Sequence, residues 1–194
     1  MKTIATITAL VAVVFASGCA HVINITPPLN TISAEGVTKS DKTVGYYLSK
    51  EQKALLVTTP GGGGDKVSYH PYADAEPALN QMLSNLYASV VALVAPNDKA
   101  ELDSKNVAYV FTPTLTTTSK SSSAFTWPPT NFTVTIDCTA ADANGAAFWS
   151  KQVTGTGEAV FDDFKHDFGL SAKRAGKDAF NQLEMAIAEA PELK

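Results

Sequence analysis

A hairpin pattern followed by a small-residue helix limits this chain more than any other feature. From Asn131 to Thr139 the sequence alternates, with Phe132, Val134, Ile136 and Cys138 on one face and Asn131, Thr133, Thr135, Asp137 and Thr139 on the other. A period of two is what a half-buried strand requires. Asp142-Ala143-Asn144-Gly145 supplies a turn, because Asn-Gly tolerates positive φ. In the next run Trp149, Val153, Ala159 and Phe161 share a face with Gly155 and Gly157, opposite Ser150, Gln152, Thr154, Thr156 and Glu158. Lys151 interrupts the apolar register, which places this strand near a sheet edge. The two glycines leave room for a second backbone. Ser171 to about Ala190 offers one, with Ala172, Ala175, Gly176, Ala179, Phe180, Leu183, Ala186, Ile187 and Ala190 in a single helical stripe. Close packing of helix on sheet follows, with Arg174 and Asp178, four apart, paired on the outside.

The remaining elements are shorter. Val44–Leu48 and Lys53–Thr59 read as strands, the second ending at Pro60 and the glycines 61–64; Lys66–Tyr72 reads as a third. Asp74–Ala95 reads as a helix with Pro77 near its start and Leu79, Met82, Leu83, Leu86, Val90, Leu93 and Val94 in steps of three and four, ended by Pro96-Asn97. Val107–Thr118 is β-branched and aromatic. The order predicts an α+β two-layer sandwich, mainly an antiparallel meander sheet with two main helices packed on one face.

The amino terminus carries a different signal. Met1-Lys2 precedes an apolar run, Ile4 to Phe15, and then Ala16-Ser17-Gly18-Cys19. A charged start, an apolar segment and small residues mark an export signal. The run is well under the ~20 residues that span a bilayer. Ala16-Ser17-Gly18-Cys19 resembles the bacterial lipobox, which more often has leucine where Ala16 stands. The resemblance implies cleavage between Gly18 and Cys19, a lipid thioether on Cys19 and an acylated amine, which together anchor stably. Ala20, in place of the aspartate that favours inner-membrane retention, implies an outer-membrane address facing the periplasm. The chain then divides into a signal peptide, 1–18, a lipidated N-terminus and extended tether, 19–42, and a single periplasmic domain, 43–194. Pro27-Pro28 and the scattered Ile23, Ile25, Leu29 and Ile32 carry the tether reading.

Beyond position 18 there are 176 residues, enough for one core. Loss of Lys2 leaves 14 basic against 19 acidic side chains, a net of −5. Without a basic stripe there is no footprint for nucleic acid. Cys138 is the one cysteine besides Cys19, so the fold is expected to hold without an intrachain disulfide and to bury Cys138.

Candidate chemistry is sparse. A phosphate-cradling loop needs Gly-Lys-Ser/Thr after its first glycine, whereas Lys66 follows Asp65 and precedes Val67. Asp162-Asp163-Phe164-Lys165-His166-Asp167 has no second histidine at helical spacing and contains a lysine, so it reads as a solvated acidic turn; His21 lies beside Cys19 and His70 in Tyr69-His70-Pro71-Tyr72. Cys138 lacks an activating base in the pattern. No catalytic residue, metal or cofactor is assigned. Phe125, Trp127, Pro128 and Pro129 form a stiffened aromatic loop with two open readings: anchors offered to a partner, or a cap folded over the open end of the core. Tyr46, Tyr47, Tyr69 and Tyr72 read as packing.

In layout the chain is similar to YajG-like lipoproteins and to auxiliary lipoproteins of ABC-type envelope transport systems. That resemblance implies a non-enzymatic periplasmic module and carries over no site residue. The first functional reading is an accessory lipoprotein, tied to the membrane by its lipid, that binds another envelope protein or an envelope assembly or transport complex. The alternatives are a small-ligand or lipid-binding domain with a cavity between sheet and helices, and a metal-dependent hydrolase built on Asp162–Asp167.

Overall fold

A computed structural model describes residues 20–32, 36, 38–122 and 126–194. Gly18, Cys19 and Phe125 lie outside the described residues, as does the signal segment. The fold is α+β with two mixed sheets. Strands β1 (Ala20–Val22), β3 (Val57–Pro60) and β4 (Lys66–Tyr69) make a small sheet in the order β1-β4-β3. Strands β2 (Ser40–Tyr46), β5 (Tyr87–Ala92), β6 (Val107–Lys120), β7 (Asn131–Asp142) and β8 (Ala147–Glu158) make the main sheet, in the order β5-β2-β6-β7-β8. The helices are α1 (Lys50–Ala54), α2 (Pro71–Leu86), α3 (Lys99–Ser104), α4 (Phe161–Phe164) and α5 (Leu170–Glu189).

The meander of β6, β7 and β8 is antiparallel as the alternation predicts, but β2 runs parallel to both of its neighbours, β5 and β6. The sheet is therefore mixed rather than purely antiparallel, with the antiparallel meander as its larger part. The cause is that residues 87–92, read as helix, form a strand instead. Leu79, Met82, Leu83 and Leu86 are buried on α2, and the helix then stops as the β-branched pair Val90-Val91 joins β2. Val94 matched the helical spacing by coincidence and is 80% exposed. The connection from β2 to β5, which ends in α2, is long enough for the crossover that parallel pairing requires.

Two local signals outweighed strand propensity elsewhere. Ser49 caps α1 reciprocally: its hydroxyl accepts from the Gln52 N–H at 3.1 Å, and the Gln52 side chain accepts from the Ser49 N–H at 2.8 Å. Lys53-Ala54 is consequently helical. Pro71 stands in the first turn of α2, so β4 ends at Tyr69, and Pro77 lies inside the helix. Pro113 is tolerated in β6 because pairing with β2 ends at Phe111, leaving no neighbour there to receive the missing N–H.

The main core joins Val44 and Tyr46 of β2, Phe132, Val134, Ile136 and Cys138 of β7, and the stripes of α2 and α5. A smaller cluster, Leu93, Leu102, Val107 and Val110, seats α3. The segment read as a tether is partly core: Ile23, Ile25 and Ile32 are buried, and the Ile23 N–H donates to the Ser68 carbonyl at 2.9 Å. Three buried isoleucines at about 1.5–3 kcal/mol each hold residues 20–32 against the domain.

Helix α5 meets β8 backbone to backbone. A Cβ at Gly155 would strike the Ala175 carbonyl and the Ala179 nitrogen, and one at Gly157 would strike the Ser171 carbonyl and the Ala175 nitrogen. Arg174 and Asp178 do not pair with each other; the Arg174 guanidinium meets Asp163 at 3.0 Å, and Asp178 accepts from the Thr156 N–H at 3.0 Å. Because the obstacle at Gly157 is backbone, Gly157→Ala should destabilise by about 3 kcal/mol, against about 0.5 kcal/mol or less for Ser150→Ala on the exposed face of β8. Denaturant midpoints measure both.

Candidate functional site

Several loops gather where the chain enters the fold. Strand β1 runs parallel to β4 with Ala20 opposite Lys66, so the start of β1 lies beside the glycine loop that precedes β4. That loop is tied to the β6–β7 connection: the Gly62 N–H donates to the Trp127 carbonyl at 3.1 Å. Within the loop, the Gly61 N–H donates to the Asp65 carbonyl at 2.9 Å, a turn closed on itself. The β6–β7 connection is in turn held by α5, whose buried Ser171 hydroxyl donates to the Pro129 carbonyl at 2.6 Å. Gly169, just before α5, sits on the Asn24 carbonyl so closely that a Cβ would collide with it.

Trp127 is the centre of this end. Its ring stacks on His21, with centroids 3.9 Å apart and planes 14° from parallel, and Phe168 approaches at 4.7 Å. His21 reaches Asp65 at 3.2 Å. Trp127 is half-buried, and Pro128, Pro129 and Thr130 are buried. Of Phe125, Trp127, Pro128 and Pro129, the sequence's aromatic loop, Trp127 is packed between His21 and Phe168 and the two prolines are buried, while Phe125 lies outside the described residues. Around this loop remain exposed apolar side chains: Phe168 at 46%, Phe161 at 62%, Val160 at 65% and Val22 at 80%. An open cleft of about 350 Å³ beside them is lined by Ser122, Thr126, Asn131, Glu158, Val160 and Phe161.

The other candidates are engaged structurally. Asp163 pairs with Arg174 at 3.0 Å, Asp167 with Lys173 at 2.9 Å and Asp162 with Lys165 at 3.5 Å. Among the described residues no three His, Cys, Asp or Glu side chains converge as a metal site. The Tyr46 hydroxyl donates to Glu76 at 3.2 Å, Tyr69 shares a hydrogen bond with Thr117 at 2.7 Å, and the Tyr72 hydroxyl accepts from the Leu115 N–H at 3.0 Å. Between sheet and helices, the gap lined by Ile25, Pro71, Leu115, Val134 and Phe180 admits only about 10 Å³. Burial pushes the Asp74 carboxyl above the usual range, opposed by N–H donors from Ile25 and His70.

Sequence reasoning missed the partners that organise this region. His21 is recognisable only as a neighbour of Cys19, and Phe168 precedes the last helix without a periodic signal. Glu184, fully buried on α5, accepts from Asn85 Nδ2 at 2.9 Å, and the same nitrogen donates to the Ile32 carbonyl at 2.9 Å. Its place beside Leu183 on the inward stripe was the available signal.

No protein-family model and no curated protein sequence matches the chain. Among solved structures it is similar to a Xanthomonas campestris protein described under the family model DUF330, with a TM-score of 0.49 at 10% identity, covering 87% of this chain and 90% of that one. It is also similar to a lipoprotein candidate from Caulobacter crescentus, with a TM-score of 0.38 at 15% identity over 77% of this chain and 88% of that one. A PelC variant from Paraburkholderia phytofirmans, solved as a dodecamer, gives a TM-score of 0.36 at 18% identity over 76% and 95%. No residue role passes from these proteins to this chain.

Cys138 is completely buried, and desolvation pushes its thiol up to about 12. The thiolate is the reactive species, so this sulfur should be inert in the fold. In a Cys19→Ser protein, where Cys138 is the single thiol, a disulfide reagent at pH 8 should label it only as fast as the domain unfolds. Rapid labelling in native buffer would contradict the packing described.

Proposed function

We propose that this protein is a lipid-anchored, non-enzymatic accessory module of the cell envelope, held through Cys19 to the periplasmic face of the outer membrane and engaging another envelope protein. The observation that carries the reading is the start of β1 at Ala20, directly after the lipobox-like Ala16-Ser17-Gly18-Cys19. A chain that enters its sheet one residue past the cysteine holds the folded domain at its anchor. No helix among the described residues is long and apolar enough to cross a membrane, so the lipid is the attachment this reading supplies.

The partner surface in this reading is the free edge of β8. Its second half is covered by α5: Thr156 N–H donates to Asp178, Gln182 donates to the Thr154 carbonyl at 3.1 Å, and Arg174 donates to the Glu158 carbonyl at 2.6 Å. Ser150, Lys151 and Gln152, in the first half, are exposed and carry no such cover among the described contacts. An open strand edge recruits a partner strand by main-chain hydrogen bonds.

Mass spectrometry of the protein extracted from envelopes should find a mature chain beginning at Cys19 and carrying acyl groups, with detergent-phase partition lost in Cys19→Ser. An unmodified amino terminus elsewhere would end the anchor reading. A photo-crosslinking side chain at Gln152 should give a discrete protein adduct that the same group at Thr133, between β6 and β8, does not; equal smears from both would remove β8 as the contact edge.

A further inference from the structure

We propose that the loop end around Trp127 is a membrane-facing surface, with Trp127, Phe161 and Phe168 seated at the level of the lipid headgroups, so that the domain rests on the bilayer instead of standing clear of it. The inference rests on the anchor reading above and adds an orientation that the anchor alone does not give.

Geometry comes first. Ala20 is fixed in register with Lys66, and one trans peptide, ~3.8 Å from Cα to Cα, is all that separates Cys19 from it. A lipid on Cys19 therefore brings the bilayer to whatever surface surrounds the start of β1. That surface is the loop cluster already described, because Gly62 bonds Trp127, Trp127 stacks on His21 and Phe168 packs on Trp127. Phe161 borders the same cleft as Thr126, the neighbour of Trp127.

Chemistry agrees with lipid as the occupant. Phe161, Phe168 and Val160 project apolar surface to solvent at the one end that the anchor holds against the membrane. Aromatic rings favour the bilayer interface, where an apolar body and a polar edge are both accommodated. Of the ionisable groups interleaved with them, Asp163 pairs with Arg174, Asp167 with Lys173 and Asp162 with Lys165, and Asp65 meets His21 at 3.2 Å, while the exposed Glu158 on the same cleft keeps its carboxylate in water at the headgroup level. Lys66 is exposed directly beside Ala20, where its ammonium can reach lipid phosphate while its stem lies along apolar surface. The stacking of Trp127 on His21 keeps the ring in place before any lipid arrives.

The test uses the mature lipidated protein in vesicles of phosphatidylethanolamine and phosphatidylglycerol, with Trp149→Phe so that Trp127 is the single emitter. Lipids brominated near the top of the acyl chain should quench Trp127 by about twofold, since interfacial side chains reach ~5–10 Å below the headgroups. Phe161→Ser with Phe168→Ser should reopen Trp127 to aqueous iodide. Protein that floats with the vesicles while Trp127 ignores bromolipid and remains open to iodide would overturn the proposal, leave the anchor standing and hand the patch to a protein partner. Protein that fails to float would overturn both. Hydrogen exchange on the unaltered lipidated protein gives an independent reading: peptides covering 20–24, 126–130 and 161–169 should slow on vesicles, and unchanged exchange there would count as refutation.

Discussion

The close contact of α5 with β8 is the constraint on which the rest of the structure depends. Gly155 and Gly157 let the helix backbone settle directly on the strand, and the small faces of Ala175 and Ala179 meet them. At that separation the polar side chains of α5 reach over the sheet edge, where Asp178, Gln182 and Arg174 satisfy the main chain of β8. An edge strand left open along its whole length invites unwanted pairing. Here one packing decision both builds the core and covers half of the edge.

The same contact fixes the amino-terminal end of α5, and through it the loop end of the domain. Ser171 binds the Pro129 carbonyl and Gly169 lies on Asn24, so the β6–β7 loop and the entering chain are both located relative to β8. Further along the helix, Gly176 receives Pro27, and Glu184 shares Asn85 with the Ile32 carbonyl. A buried carboxyl is tolerable only where hydrogen-bond donors meet it. Asn85 from α2 is such a donor, and it ties α2, α5 and the amino-terminal segment to one point.

What the sequence disclosed follows from the range of the forces involved. The alternation of Phe132, Val134, Ile136 and Cys138 and the glycine pair of β8 were legible because they repeat along one element, and so was the stripe of α5. Residues 87–92 were not, because a strand entering beside β2 and a helix continuing from Leu86 place apolar residues at compatible spacings, and only the tertiary partner decides. The capping box at Ser49 was written in the sequence but outweighed in reading by β-rich neighbours. Residues 20–32 looked like a linker because their isoleucines have no period; they are core because β4, α2 and α5 each bury one short stretch of them. The loop end was half legible: Trp127 and its prolines drew notice, whereas its partners His21 and Phe168 come from distant segments with no pattern of their own.

Strand direction relates the two proposed surfaces. Strand β8 ends at Glu158, and the next residue, Ala159, donates its N–H to the Thr130 carbonyl at the loop end. Its uncovered stretch at Ser150–Gln152 lies toward the opposite end, near the hairpin turn at Gly145. With a strand rise of ~3.3 Å per residue, Ser150 stands up to about 26 Å from Glu158. On the lipid-anchored reading, a domain seated on the bilayer by its loop end presents the open edge well above the headgroups, where a periplasmic strand can approach it from the side. A long free tether would leave both the height and the direction of that edge undefined; on the same reading, entry into the sheet at Ala20 would set them.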